Sequence, residues 1–214
     1  MGTPLYLGSA LIFWQRKYTR ILAVLFVVLA LLNPFSRNYL GVHTPQDVCV
    51  GLLLSIACLY AAWKAGDYFA QHPQKENACL AVVCVLGALA LVYALCKPYP
   101  LDYVDGKLLV SPQKALKNAF ESMGVLLGFC AGRYIEKTWV RFQAVGWTLK
   151  GVLCSLAGFI ALYFFFAYAG KPLRHLLGVN WGRFTWSMLL MVYIIALYPL
   201  VLKWLFAKKT VSAR

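Results

Sequence analysis

The chain has 214 residues, of which 62% are hydrophobic and 13% charged, with a mean hydropathy of +0.68. A soluble domain runs nearer to about 45–50% apolar and about 25% charged, so the composition excludes an ordinary soluble protein and indicates an integral membrane one. The formal charge of +14 does not point to nucleic acid, because the cations are dispersed to the ends of apolar runs instead of gathering on one segment.

In chain order the apolar runs are Leu5–Trp14, Ile21–Phe35, Val48–Trp63, Ala78–Cys96, Ala119–Tyr134, Val152–Ala169 and Trp186–Phe206. Trp14, Tyr18, Trp63, Tyr99, Trp139, Trp147, Tyr168 and Trp181 sit at their ends, as an interfacial aromatic belt would. The runs are too long and too unalternating for barrel strands. They predict an all-α, polytopic membrane helix bundle with about six transmembrane helices and a short N-terminal helix remnant. The remnant is Leu5–Trp14: from Met1 to Trp14 a helix covers roughly 21 Å, against a hydrocarbon core of ~30 Å. It shows no polar face for lying flat on the interface, so the expectation is a helix that begins within the membrane because its upstream part is absent.

Three other features have structural readings. Gly124, Gly128 and Gly132 recur every fourth residue, which lets a second helix approach closely. In the loop Lys97–Lys117, Asp105-Gly106 is a turn signal, and Asp102 and Asp105 read as solvated surface. Most of the seven cysteines, at 49, 58, 79, 84, 96, 130 and 154, lie in or beside apolar runs without CxxC or Cys/His spacing. They read as small hydrophobes, so neither a disulfide frame, a metal nor another cofactor is expected.

Orientation follows from loop charge. With Gln15–Arg20, Lys64–Asn77, Arg133–Lys150 and the tail from Lys203 on one side, that side carries +10, against +5 for Phe35–Asp47, Lys97–Asn118 and Gly170–Phe184. The more positive side is cytoplasmic. This predicts a multi-pass cell-membrane protein with Phe35–Asp47 on the extracytoplasmic face.

That segment contains the one polar cluster with the makings of chemistry, Ser36-Arg37-Asn38-Tyr39-Leu40-Gly41-Val42-His43-Thr44-Pro45-Gln46-Asp47. Thr44 as N-cap, Pro45 at the first helical position and Asp47 as the acid three residues in make a good helix start. Capping leaves Arg37 and His43 unexplained. An ionisable cluster at membrane depth is a functional hypothesis by default, and a helix N-terminus beside an Arg and a His is a ready anion site.

The pattern Ser36-Arg37-x5-His43-x3-Asp47, filled by Tyr39-Leu40-Gly41-Val42 and Thr44-Pro45-Gln46, resembles the third signature motif of the type-2 phosphatidic acid phosphatase family. These are membrane lipid phosphatases related in their core to vanadium haloperoxidases and glucose-6-phosphatase. The resemblance is close over about thirteen residues and weaker along the following helix. It implies that His43 is the nucleophile that takes the phosphoryl group, that Asp47 orients its ring, and that Arg37, with Ser36 beside it, binds the phosphate oxygens. It also implies a metal-independent reaction with membrane lipids as partners, on a lipid phosphate or polyprenyl diphosphate.

The family's two preceding motifs, Lys-x6-Arg-Pro and Pro-Ser-Gly-His, are absent from residues 1–35, which contain no histidine. Gly2-Thr3-Pro4-Leu5 and Gly8–Trp14 are similar to the stretch that follows Pro-Ser-Gly-His. The expectation is a fragment, by truncation or a misplaced start, that is nearly inactive as given because a general acid is worth about 10²–10⁴-fold. His72 reads as solvated on the opposite face, and His175, with Lys171 and Arg174, as part of a basic interfacial loop. The domain reading is 1–72 as the C-terminal part of a phosphatase-like core, 78–206 as additional transmembrane helices and 207–214 as a basic tail. The alternative is a non-catalytic membrane protein that keeps one phosphate-binding motif for a lipid-binding or scaffold role. A small transporter is less favoured, since no matching halves with Gly/Pro-broken helices appear.

Overall fold

Helix formation follows the apolar runs and then continues past them. The computed structural model describes residues 3–15, 17–41, 44–99, 101, 103–104, 107–108, 111–143 and 148–211. Its helices are α1 (Thr3–Trp14), α2 (Arg20–Tyr39), α3 (Pro45–Gln71), α4 (Pro73–Cys96), α5 (Pro112–Ile135), α6 (Leu149–Leu177), α7 (Val179–Val192) and α8 (Tyr198–Val211). A π-helical turn, Glu136–Val140, extends α5, and another, Tyr193–Leu197, joins α7 to α8. Tyr103–Val104 and Lys107–Leu108 pair as a minimal antiparallel hairpin.

The chain is therefore an all-α membrane bundle. Among the described residues, four helical stretches are long and apolar enough to cross a bilayer: Lys17–Tyr39, Pro45–Gln71, Pro73–Cys96 and Val179–Phe206. At most 11% of the most apolar window of each is buried within the protein, so lipid is the natural solvent for their side chains. Two of the six runs read as spans are not among these four. Ala119–Tyr134 lies in α5, whose glycines and polar residues lower its hydropathy, and Leu149–Phe165 counts as a shorter apolar helix.

The chain divides into two units, Met1–Lys75 and Glu76–Arg214. In the first, α1 lies against α2. Ala10, Ala23 and Ala30 are buried there, and their small size lets the two backbones come close. Phe26 fills the remaining space by stacking on Phe13 and Tyr6, with ring centroids 5.4 and 6.4 Å away. Asn33 Nδ2 donates to Thr3 Oγ1 at 3.2 Å and Thr19 Oγ1 donates to Phe13 O at 2.6 Å, one near each end of α1. Lys64–Asn77, expected to be a loop, is helical except at His72 (φ −129°, ψ 63°). Pro73 disfavours the helical conformation at the residue before it, so α3 stops there and α4 begins with proline at its first position.

In the second unit α5 packs on α7 through the glycine stripe. A Cβ at Gly124 would collide with Phe184 O and Ser187 Oγ, one at Gly128 would sit 2.5 Å from Met188 O, and one at Gly132 3.1 Å from Ile195 Cβ. Ser187 is buried in this seam and its hydroxyl lies 3.0 Å from Glu121 O and 2.8 Å from Arg183 O. The side chains of Arg183 and Glu121 pair at 2.6 Å at the same end of the seam. α6 joins α7 through the stacked rings of Phe165 and Trp186 (4.8 Å) and α8 through Tyr198 OH, which donates to Cys154 O. At the other end of α5, Glu76 of α4 receives Arg133 Nε at 2.7 Å and Lys137 Nζ at 2.9 Å.

Candidate functional site

The polar cluster is not a single loop. Ser36 and Arg37 belong to the last turn of α2, and only Leu40–Thr44 separates that helix from α3. Gly41 ends α2: its N–H donates to Asn38 O at 3.0 Å and its φ is +65°, a left-handed conformation that costs other residues about 1–2 kcal/mol. The motif's glycine thus sets the direction in which the chain leaves Arg37.

α3 then starts as the sequence reading of its cap expects. Thr44 is extended, Asp47 N–H donates to Thr44 Oγ1 and Thr44 N–H donates to Asp47 Oδ2, both at 3.2 Å. Pro45 costs no hydrogen bond at the first helical position. The capping box ties one oxygen of Asp47 to the backbone and leaves the carboxylate at the mouth of α3. His43 and Val42 lie outside the described residues.

Arg37 and Asp47 come together in one respect that spacing does not reveal: both line a cavity of about 440 Å³ between α1, α2 and α3. Thr3 and Pro4 of α1, Asn33 and Pro34 of α2, and Val48, Gly51, Leu52 and Ser55 of α3 complete its wall. Arg37 is half-buried and Asp47 exposed. The guanidinium is favourably placed in the last turn of α2, where the helix dipole is negative, and it lines the same cavity as the first turn of α3, whose dipole end is positive. An anion in this cavity would meet the Arg37 charge and the α3 N-terminus on one hand and the Asp47 carboxylate on the other. Ser36 is exposed, does not line the cavity, and donates its hydroxyl to Asn33 O at 2.8 Å.

Sequence reasoning passed over Asn33, Thr3 and Ser55. Asn33 left a usable signal, since it is a polar side chain inside an apolar run. Ser55 donates to Gly51 O at 2.7 Å and gives no such signal, because serine commonly bonds back within a helix.

A second cavity of about 340 Å³ uses the next stretch of the same three helices. Leu7, Ala10, Leu11 and Trp14 of α1, Val27 of α2, and Ile56, Leu59, Tyr60 and Trp63 of α3 line it. Every helix contributes in register: the residues nearest the motif line the first cavity and those farther along line the second. On α3 the combined lining runs from Asp47 to Trp63, roughly 24 Å at 1.5 Å per residue. The first cavity carries polar and charged groups and the second is almost wholly apolar.

His72 lies at the far end of α3, its ring stacked on Tyr68 at 4.6 Å, and is remote from Arg37. His175 belongs to the last turn of α6 in the second unit. Among the described residues no group of three or more His, Cys, Asp or Glu side chains is arranged to hold a metal ion.

The family model of the PAP2 superfamily matches residues 1–71, the stretch that forms α1, α2 and α3. No curated protein and no solved structure matches the chain.

Proposed function

We propose that this chain, whose residues 1–71 belong to the PAP2 superfamily, binds a phosphorylated lipid with its head group at Arg37 and its tail along the apolar cavity. The observation that carries this reading is the succession of the two cavities along α1, α2 and α3. One end offers a guanidinium and a helix N-terminus, and the other offers Leu7, Leu11, Ile56, Leu59 and Trp63. A phosphate monoester or diphosphate on a long hydrocarbon has the same polarity along its length. The charge balance of the loops supports an extracytoplasmic location for the head group.

In this reading Arg37 neutralises two phosphate oxygens by a two-pronged hydrogen bond. His43 supplies the ring nitrogen that attacks phosphorus, and Asp47 is the acid that orients that ring. Ser36 would have to release its bond to Asn33 O before its hydroxyl could donate to the phosphate. As the P–N bond forms, the P–O bond to the lipid alkoxide breaks and the alkoxide requires a proton. That proton comes from water, and binding is the property that the described residues around Arg37 carry most directly. The alternative, a binding protein without turnover, draws support from the Asp47 Oδ2 bond to Thr44 N–H, which gives that carboxylate a structural task.

The test uses the full chain in neutral-lipid nanodiscs and a short-chain lipid phosphate. Arg37→Ala is expected to weaken binding by about tenfold or more, the worth of a charged hydrogen bond. His43→Ala should keep binding and abolish any phosphate release. Equal affinity for wild type and Arg37→Ala would overturn the proposal. Binding that is lost on Arg37→Ala, with no phosphate released by wild type, would select the non-catalytic alternative.

A further inference from the structure

We infer that the end of the second unit formed by α4, the π-helical end of α5, and α8 is a binding site for the head group of an anionic phospholipid, separate from the Arg37 cavity. Four segments meet there. Arg133 and Lys137 reach Glu76 of α4, Lys203 Nζ of α8 donates to Val140 O at 2.6 Å, and Lys150 at the start of α6 lies 4.2 Å from the centre of the Phe206 ring. Arg141 follows directly, and its Nε donates to Lys137 O at 3.3 Å.

The carboxylates of this cluster are already engaged. Glu76 receives Arg133 on one oxygen and Lys137 on the other, while Glu136 receives Arg133 at 2.8 Å and the Phe142 N–H at 3.3 Å. Five cations, Arg133, Lys137, Arg141, Lys150 and Lys203, thus accompany the two carboxylates Glu76 and Glu136, and among the described residues no ion pair reaches Arg141, Lys150 or Lys203. The surplus is cationic and suits a phosphate.

Arg141 also stands out by its backbone. It is the only described residue other than glycine with positive φ (47°), a conformation that is uncommon outside glycine and that recurs where a side chain has a task. The π-helical turn before it brings the Val140 carbonyl, one residue from Arg141, to Lys203 Nζ.

A lipid, not a soluble anion, is the occupant indicated by the surroundings. Trp139 and Trp204 adjoin Val140 and Lys203 in the sequence and are 67% and 57% exposed, and Trp at such a position sits at the head-group level. α4 and the α7–α8 stretch are both long and apolar enough to span a bilayer, so their ends reach that level too. Basic groups between span ends are the usual way of holding an anionic head group.

The experiment measures, by native mass spectrometry, which phospholipid the full chain retains from an equimolar mixture of phosphatidylglycerol and phosphatidylcholine. Phosphatidylglycerol is a diester and offers no monoester for the Arg37 cavity. Wild type should retain it preferentially, and Arg37→Ala should behave the same. Arg141→Asn, which tolerates left-handed backbone, and Lys203→Gln should each reduce the preference about fivefold. Thermal unfolding of each variant confirms that it folds, and if one of the two does not fold, the lipid preference of the other decides. Wild type without a preference would overturn the proposal. So would an equal loss on Lys114→Gln at the opposite end of α5, or displacement of the lipid by equimolar inorganic phosphate.

Discussion

Glu76→Ala is expected to destabilise the second unit by about 3 kcal/mol, read as a lower midpoint in thermal or detergent denaturation. Glu76 is only 7% exposed, and both of its oxygens hold cations from the end of α5. Removing it takes one carboxylate from both Arg133 and Lys137 and leaves Arg133 with Glu136. The Arg133 and Lys137 side chains are 41% and 25% exposed, so water relieves part of the penalty and the cost falls at the lower end of the range for breaking a buried pair. The combination Glu76→Leu, Arg133→Met and Lys137→Leu removes the charges together and should recover most of the loss. A Glu76→Ala midpoint equal to wild type would show that this network does not hold α4 to α5.

Gly128→Ala should cost about 3 kcal/mol, although alanine favours helix over glycine by about 1 kcal/mol. The added Cβ would lie 2.5 Å from Met188 O and 2.8 Å from Met188 Cα. Both are backbone atoms of α7, so no side chain can turn aside and the two helices must separate. Gly66→Ala is the control: nothing lies within 4 Å of its Cβ position, and there the helix preference alone should act. Comparable melting of the two variants would mean that α5 and α7 are not packed through the stripe.

The origins of these two effects are unequally visible in the sequence. The stripe at Gly124, Gly128 and Gly132 is a local period and announces a close approach, but only the fold names α7 as the partner. The Glu76–Arg133 pair joins residues 57 apart, and nothing in either segment selects the other. Near the candidate site, Thr44, Pro45 and Asp47 are legible as a cap because capping depends on neighbours in sequence. Placing Ser36 and Arg37 in a loop is incorrect, because α2 runs past its apolar stretch and through Pro34 to Tyr39. The cavity that Arg37 shares with Asp47 depends on the packing of α1, whose register on α2 is set by buried alanines and the Phe26 stack. The stacking of a polar cavity on an apolar one is likewise a property of three helices together, absent from any of them alone.

The most direct test of the phosphate-lipid reading is photocrosslinking with a lipid phosphate that carries a diazirine near the end of its tail. Labelled peptides from the full chain would be mapped by mass spectrometry. The two-cavity arrangement predicts labels on Leu59, Tyr60 or Trp63 of α3 and on Leu11 or Trp14 of α1, with labelling suppressed in Arg37→Ala. Labels spread evenly over the exposed faces of the spans, or unchanged in Arg37→Ala, would contradict it.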